Sequence, residues 1–238
     1  FPINGITMRS DNAGSSYFQS LNVRLQKRFT NGLTFMNNFI WSKELDRVVY
    51  LNSFDPLPTK EIGSNSRPFR EVLAGTYQLP IGHGRALNLQ SRVLDALVGG
   101  WQLSGILTLQ SGPVLSWGNL LYYGGPLNYD SAQPNGTAFD TSRFNTVSSE
   151  QLSDNIRTFY NYFNNLHRDA TNQLDASLDK NFAFGEGRYL QIRFEAYNIL
   201  NHVTFGNVNL SGTNKAFGTI GSQANTPRRI ESAIRLVF

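Results

Sequence analysis

Apolar residues occupy every second position in long stretches of this chain, and that period of two constrains its fold most. In residues 17–29 the alternation places Leu21, Val23, Leu25 and Phe29 opposite Ser20, Asn22, Arg24, Gln26 and Arg28. Such a period is typical of a β-strand with one apolar and one polar face. It recurs in residues 33–42, 69–79, 101–109, 174–182, 190–197 and 229–238. The sequence therefore predicts an all-β protein with about seven strands.

The connections between these segments differ in length in a regular way. Residues 30–32 and 184–188 are tight turns, and 80–100 is intermediate. Residues 43–66, 112–170 and 201–227 are long, and 148–151 is expected to begin a short helix inside the second of them. Short turns at the periplasmic end and long loops at the outer end are typical of outer-membrane barrels. We therefore expect part of an antiparallel up-and-down transmembrane β-barrel, with its C-terminus on the periplasmic side.

Composition excludes several other classes of protein. The 238 residues contain no Cys, which excludes disulfides and thiolate metal sites. No apolar run approaches the roughly 18 to 20 residues of a membrane-spanning helix. The net charge is +4, but basic residues are scattered, so we expect no nucleic-acid partner. The three His lack metal-ligand spacing and no G-x-S-x-G motif is present, so no catalytic residue, metal or cofactor is expected.

Several short motifs resemble one family. LQKRF at 25–29, NGLTF at 31–35 and WSK at 41–43 resemble a hairpin of TonB-dependent receptors of the Oar-like type. The resemblance continues in LPIGHGR at 79–85, GGWQLSGI at 99–106, QSG at 110–112 and DKNF at 179–182. It ends with RFEAYNILNH at 193–202, FG at 205–206 and the last strand. The order is kept along nearly the whole chain.

The resemblance carries expectations about the whole receptor. In that family a barrel of about 22 strands surrounds a plug and follows a carboxypeptidase-regulatory-like domain. Residues 1–238 are then expected to be the C-terminal portion of the barrel domain, without plug or N-terminal domains. The implied function is energised uptake, in which external loops capture the ligand. The implied partners are upstream barrel strands and plug of the same receptor, the TonB complex through the N-terminal region, outer-membrane lipid and the barrel-assembly machinery.

Three sets of residues are candidates for functional roles. Aromatic residues of the longest loop are expected to contact a ligand, although a loop that merely shields the barrel explains them equally well: Trp117, Tyr122, Tyr123, Tyr129 and Tyr160. Polar-face residues are expected to face the lumen and chiefly to pair across strands: Arg24, Arg70, Arg193, Glu195, Tyr197, Glu231 and Arg235. The last strand resembles the signal read by the barrel-assembly machinery, through Ile230, Ile234, Leu236 and Phe238, with Ser232 departing from it.

Two polar residues interrupt the apolar faces, and one other fold remains open. Asn37 and Glu71 fall on faces assigned to lipid. A charge near the membrane surface costs roughly 0 to 1 kcal/mol, against about 2 to 4 for a basic residue at the midplane. The alternative is a secreted soluble β-sandwich or jelly-roll module that binds carbohydrate. It would bury Leu21, Phe35, Leu107, Ile192 and Leu236 beneath another layer, whereas the barrel, in the outer membrane of a Gram-negative-type envelope, exposes them to lipid.

Overall fold

The computed structural model describes residues 12–118, 120–131, 136–151, 157 and 159–238. Strands occupy β1 (Ser15–Thr30), β2 (Leu33–Val49), β3 (Thr59–Ile62), β4 (Phe69–Gln78), β5 (Trp101–Gln110), β6 (Val114–Ser116), β7 (Tyr162–His167), β8 (Thr171–Gly185), β9 (Arg188–Tyr197) and β10 (Arg229–Val237). One α-helix, α1 (Arg92–Val98), and 3-10 turns at Thr141–Arg143 and Ser148–Glu150 complete the described elements. No helix within these ranges is long and apolar enough to cross a bilayer.

The main sheet is antiparallel and follows the order of the chain. Its strands pair as β1-β2-β4-β5-β8-β9-β10, and β3 pairs with β2 beyond the end of β4. β1 and β10 are the two edges, so the sheet is open. Each of the seven strands predicted from the alternation is present, which confirms the all-β, up-and-down prediction.

The turns explain why neighbouring strands pair directly. Asn31 and Gly32 have φ of 53° and 79°, the conformation of a two-residue type I′ turn, which matches the twist of the strands that it joins. The β8–β9 turn is equally short, with Gly187 at φ 69°. The intermediate connection between β4 and β5 contains α1, which the alternation did not predict.

Two expectations about the long connections need correction. β2 continues to Val49, well past residue 42, and β3 lies where an irregular loop was expected. The pairing of Ser15 with Arg47 and of Leu45 with Ile62 extends the strand through residues 43–49, where apolar and polar residues do not alternate. The helix expected from residue 148 is a single 3-10 turn, and it has no side-chain cap because Val147 occupies the cap position.

The strand register places the apolar residues on one continuous face. Leu21 is opposite Trp41, Leu107 is opposite both Leu73 and Leu174, and Ile192 is opposite Ile234. Leu21 and Leu236 are more than half exposed. None of Leu21, Phe35, Leu107, Ile192 and Leu236 belongs to the buried core of the described residues. The one further sheet of the described residues, β6 with β7, has only two strands. With Leu21 and Leu236 more than half exposed, the layer that the β-sandwich alternative requires over this face is not seen in the described part of the chain.

The buried core lies outside the sheet, in the connections β5–β8 and β9–β10. It consists of Leu115, Trp117, Leu120, Leu127, Ala138, Phe139, Phe144, Leu166, Val208 and Phe217. We call the described parts of residues 111–170 and 198–228 the loop cap. The cap lies at the end of the sheet from which all three long connections leave, opposite the two tight turns.

Candidate functional site

Aromatic rings hold the loop cap together. The ring of Trp117 lies 5.2 Å from those of Phe139 and Phe163 and 5.7 Å from that of Phe144, between centroids. Phe217, from the β9–β10 connection, lies 5.3 Å from both Phe139 and Phe144. Most of these pairs are edge-to-face, the arrangement that the ring quadrupole favours. Two connections that are distant in sequence therefore share one core.

Buried polar contacts join the β2–β4 connection to the same cap. Glu61, in β3, is only 6% exposed and accepts hydrogen bonds from the backbone nitrogen and the Nδ2 of Asn161, at 2.8 and 3.0 Å. Asn52 exchanges two hydrogen bonds with the backbone of Arg157, at 2.6 and 3.1 Å. The guanidinium of Arg157 donates to the carbonyl of Trp117 at 2.6 Å. Burial lowers the pKa of Arg157, and the negative charge of Glu61 opposes that shift.

The Glu61 contact gives a prediction for the stability of the cap. In Glu61→Gln an amide NH₂ replaces one of the two acceptor oxygens that face the donors of Asn161. We expect local destabilisation of about 1–3 kcal/mol, the usual cost of leaving a buried polar group unsatisfied. Hydrogen exchange of residues 159–170 should accelerate while exchange in β5 stays unchanged. The exposed turn residue Glu186, changed to Gln, is the matched control; equal protection in both variants would contradict the prediction.

The structure separates the five candidate ligand-contacting aromatics. Trp117 is 3% exposed in the centre of the cap, and Tyr122 and Tyr129 pack against the same core. The Tyr122 hydroxyl donates to the carbonyl of Gly125. Burial raises the pKa of both tyrosines, and nearby Asp169 adds to the shift at Tyr129. Tyr123 and Tyr160, at 66% and 52% exposed, lie on the surface. Ligand contact at these five positions stays a prediction.

A cleft of about 560 Å³ lies where the cap meets β1 and β2. Its lining includes Leu21 and Trp41 of the apolar face, Lys43, Ile62 of β3 and His167 of β7. The His167 ring lies 3.0 Å from the carbonyl oxygen of Gly112. A volume of this size is in the range of small-molecule sites.

The polar face of the sheet carries the seven residues predicted to face a lumen. Arg193 contacts Asp179 at 3.2 Å and Glu195 at 2.7 Å. Arg229 contacts Glu231 at 2.8 Å and lies 4.9 Å from the centre of the Tyr197 ring. The register puts Arg24, Arg70, Glu231 and Arg235 on the same face as these groups. The contacts link Asp179, Arg193, Glu195, Tyr197, Arg229 and Glu231 along and across strands β8, β9 and β10.

The two polar departures on the apolar face are partners of each other. Asn37 of β2 donates from Nδ2 to Oε1 of Glu71 of β4 at 2.8 Å, and both side chains are half-buried. They are diagonal neighbours, because Asn37 is opposite Leu73 and Phe39 is opposite Glu71. The hydrogen bond lowers the cost of placing either group on an apolar surface.

This pairing predicts non-additive mutant stabilities. Asn37→Leu removes the donor that Glu71 uses, and we expect a loss of about 1–3 kcal/mol in unfolding free energy. The double variant Asn37→Leu with Glu71→Leu removes both polar groups and should be nearly neutral or stabilising. Denaturant unfolding in lipid vesicles of a complete barrel that contains this sheet measures each corner of the cycle, Glu71→Leu alone included. Additive losses would show that the two side chains do not interact.

Comparison with known proteins was informative at the level of the family. A family model described as an outer membrane beta barrel domain matches residues 1–231, almost the whole chain. Searches of curated proteins and of solved structures find no match. Antiparallel strands, an apolar outward face, short turns at one end and long loops at the other are general features of outer-membrane barrels, and the described sheet has all of them.

Proposed function

Since the chain belongs to the family of outer membrane β-barrel domains and is located in the outer membrane, we propose that it forms part of a TonB-dependent receptor that takes up a ligand captured by its loop cap. The observation that carries the proposal is the cap itself. All three long connections leave one end of the sheet and share aromatic and polar contacts, so the outer end carries a folded recognition surface. The motifs shared with Oar-like receptors support energised uptake.

The edges of the sheet support the place of this chain in a larger barrel. Among the described residues β1 pairs only with β2, and β10 only with β9, so each has one side without a strand partner there. Backbone groups that face hydrocarbon need partners, and closed barrels supply them. We propose that further strands of the same receptor pair with both edges and that its plug faces the polar side of the sheet. The barrel-assembly machinery would recognise the apolar residues of β10 together with Phe238.

Two surface tyrosines are the residues that we propose contact the ligand. Tyr123 and Tyr160 are more than half exposed, whereas Trp117, Tyr122 and Tyr129 pack in or against the cap core. Tyrosine gives a large rigid contact surface at low entropic cost, which suits recognition. No catalytic or cofactor role is proposed for any of them.

Uptake by cells tests this proposal. Cells that produce the full-length receptor, in strains with and without TonB, are given a defined mixture of tryptic peptides and oligosaccharides, and mass spectrometry follows the compounds removed from the medium. We expect a subset to be removed only when both receptor and TonB are present, and less of it with Tyr123→Ala and Tyr160→Ala. Phe184→Ala, in the opposite turn region, is the control. Removal that does not depend on TonB would indicate a passive pore and overturn the proposal.

A further inference from the structure

Helix α1 has a surface that nothing in the described protein covers. No residue of the helix is buried. Val93, Leu94, Leu97 and Val98 are between 46% and 68% exposed. An isolated helix of seven residues is not stable in water, because too few hydrogen bonds compensate for nucleation. A contiguous exposed apolar patch marks an interaction site.

The polar groups of α1, in contrast, are held by the protein. The Ser91 hydroxyl accepts from the backbone nitrogen of Leu94 at 3.4 Å, and the Asp95 carboxylate accepts from the backbone nitrogen of His83 at 2.7 Å. At the C-terminal end, Trp101 Nε1 donates to the carbonyl of Leu97 at 3.1 Å. Lys180 donates to the carbonyls of Asp95, at 3.3 Å, and Gly99. The helix is therefore fixed in place with its apolar side chains turned outward.

The two side chains that hold the C-terminal end belong to the apolar face of the sheet. Trp101 is opposite Lys180 in the register, and the next pair on the same face is Leu103 with Leu178. Trp101 stacks on Phe194 with 6.4 Å between centroids, and the Lys180 ammonium lies 4.8 Å from the centre of the Phe182 ring. Lys180 is only 4% exposed, so its charge is covered by the helix end and the rings. α1 is thus attached at the border of the apolar face, at the end opposite the cap.

We propose that α1 lies in the periplasmic leaflet of the outer membrane, with Val93, Leu94, Leu97 and Val98 among the lipid chains. The proposal rests on the membership of the outer membrane barrel family, since the apolar face that α1 adjoins is then the lipid-facing wall. The exposed apolar side chains of the helix adjoin that wall through Trp101, which bonds to Leu97 and stacks on Phe194, and this continuity selects lipid as the occupant. Interfacial helices bury their apolar side about 5–10 Å into the boundary between headgroups and acyl chains. A tryptophan at this level is typical of the aromatic girdle.

Depth-dependent fluorescence quenching tests the proposal. The described chain has no Cys, so single Cys variants of a receptor cleared of other cysteines can carry one environment-sensitive label. Leu97→Cys and Val93→Cys report on α1, Leu107→Cys on the apolar face, and Glu186→Cys on the exposed β8–β9 turn. The full-length receptor is reconstituted in phosphatidylethanolamine–phosphatidylglycerol vesicles whose lipids carry a quencher either near the headgroups or near the chain ends.

We expect the α1 labels to lose fluorescence to the headgroup-level quencher more than to the deep one. The Leu107 label should respond more to the deep quencher, and the Glu186 label to neither. Labels on α1 that behave like the Glu186 label would overturn the proposal. So would labels shielded from water yet unquenched by lipid, because a periplasmic protein or a second receptor copy would then cover the helix. Neither result would affect the proposed TonB dependence. An unquenched Leu107 label, in contrast, would show that lipid does not cover the apolar face, which is the premise of the proposal.

Discussion

The 238-residue chain on its own is expected not to form a closed, heat-modifiable barrel in detergent or lipid. Its two edge strands, β1 and β10, are 16 and 9 residues long, and within the part of the chain that the structure describes each has one side without a strand partner. Every unpaired backbone group that faces hydrocarbon costs several kcal/mol. Even a few such groups exceed the typical 5–15 kcal/mol stability of a folded domain. The expected loss of folding is therefore complete.

Gel mobility measures this directly. A folded barrel migrates differently before and after boiling in detergent, and the chain alone should show one mobility in both states. The full-length receptor, refolded in the same detergent, is the positive control and should shift on boiling. A monodisperse monomer of the 238-residue chain that shifts in the same way would contradict the prediction and would mean that β1 and β10 close on each other.

The sheet could be predicted because a strand between an apolar and a polar environment has alternating apolar and polar residues, a pattern that can be recognised within a few neighbouring positions. Each residue of a strand faces either the apolar or the polar side, so neighbours such as Leu107 and Thr108 report opposite environments. The alternation stops where the two sides no longer differ in polarity, as in residues 43–49 of β2. The extension of β2 depends on pairing with residues 15–16 and 59–62, which no local pattern contains.

The loop cap could not be predicted in the same way. Its core joins Trp117 with Phe139 and Phe217, residues separated by irregular sequence without a period. Aromatic residues in a long loop are compatible with either a surface or an interior, and only long-range packing decides between them. The density of aromatic residues in 112–170 was the available signal. It is explained at least in part by a buried aromatic core, to which Trp117 belongs.

Helix α1 and the Asn37–Glu71 pair show two further limits. In α1 the spacing of Val93, Leu94, Leu97 and Val98 is helical and follows a capping Ser91. A helix of about two turns is nevertheless too short for its periodicity to be distinguished from chance spacing of apolar residues. In the sequence, Asn37 and Glu71 are two unrelated polar residues that interrupt apolar strand faces. Only the register between β2 and β4 shows that they lie within hydrogen-bonding distance.

Leu107→Arg is expected to destabilise the full-length receptor in lipid by about 2–4 kcal/mol, the cost of a basic side chain near the bilayer midplane. Leu107 lies in β5 between Leu73 and Leu174 on the apolar face. An arginine there must stay among acyl chains or distort the bilayer to reach water. Urea unfolding in vesicles, followed by tryptophan emission, measures the loss.

Thr108→Arg is the matched control, because the next residue faces the polar side between Val72 and Gln173. The same charge placed there meets water and the polar groups of the sheet, so a change of only a few tenths of a kcal/mol is expected, as for most surface substitutions. The strand, its propensity and its distance from the membrane surface are nearly the same in both variants. The difference between them therefore isolates the solvent that each face meets. Equal losses at 107 and 108 would mean that lipid does not cover the apolar face, and the membrane placement of the whole sheet would fail with it.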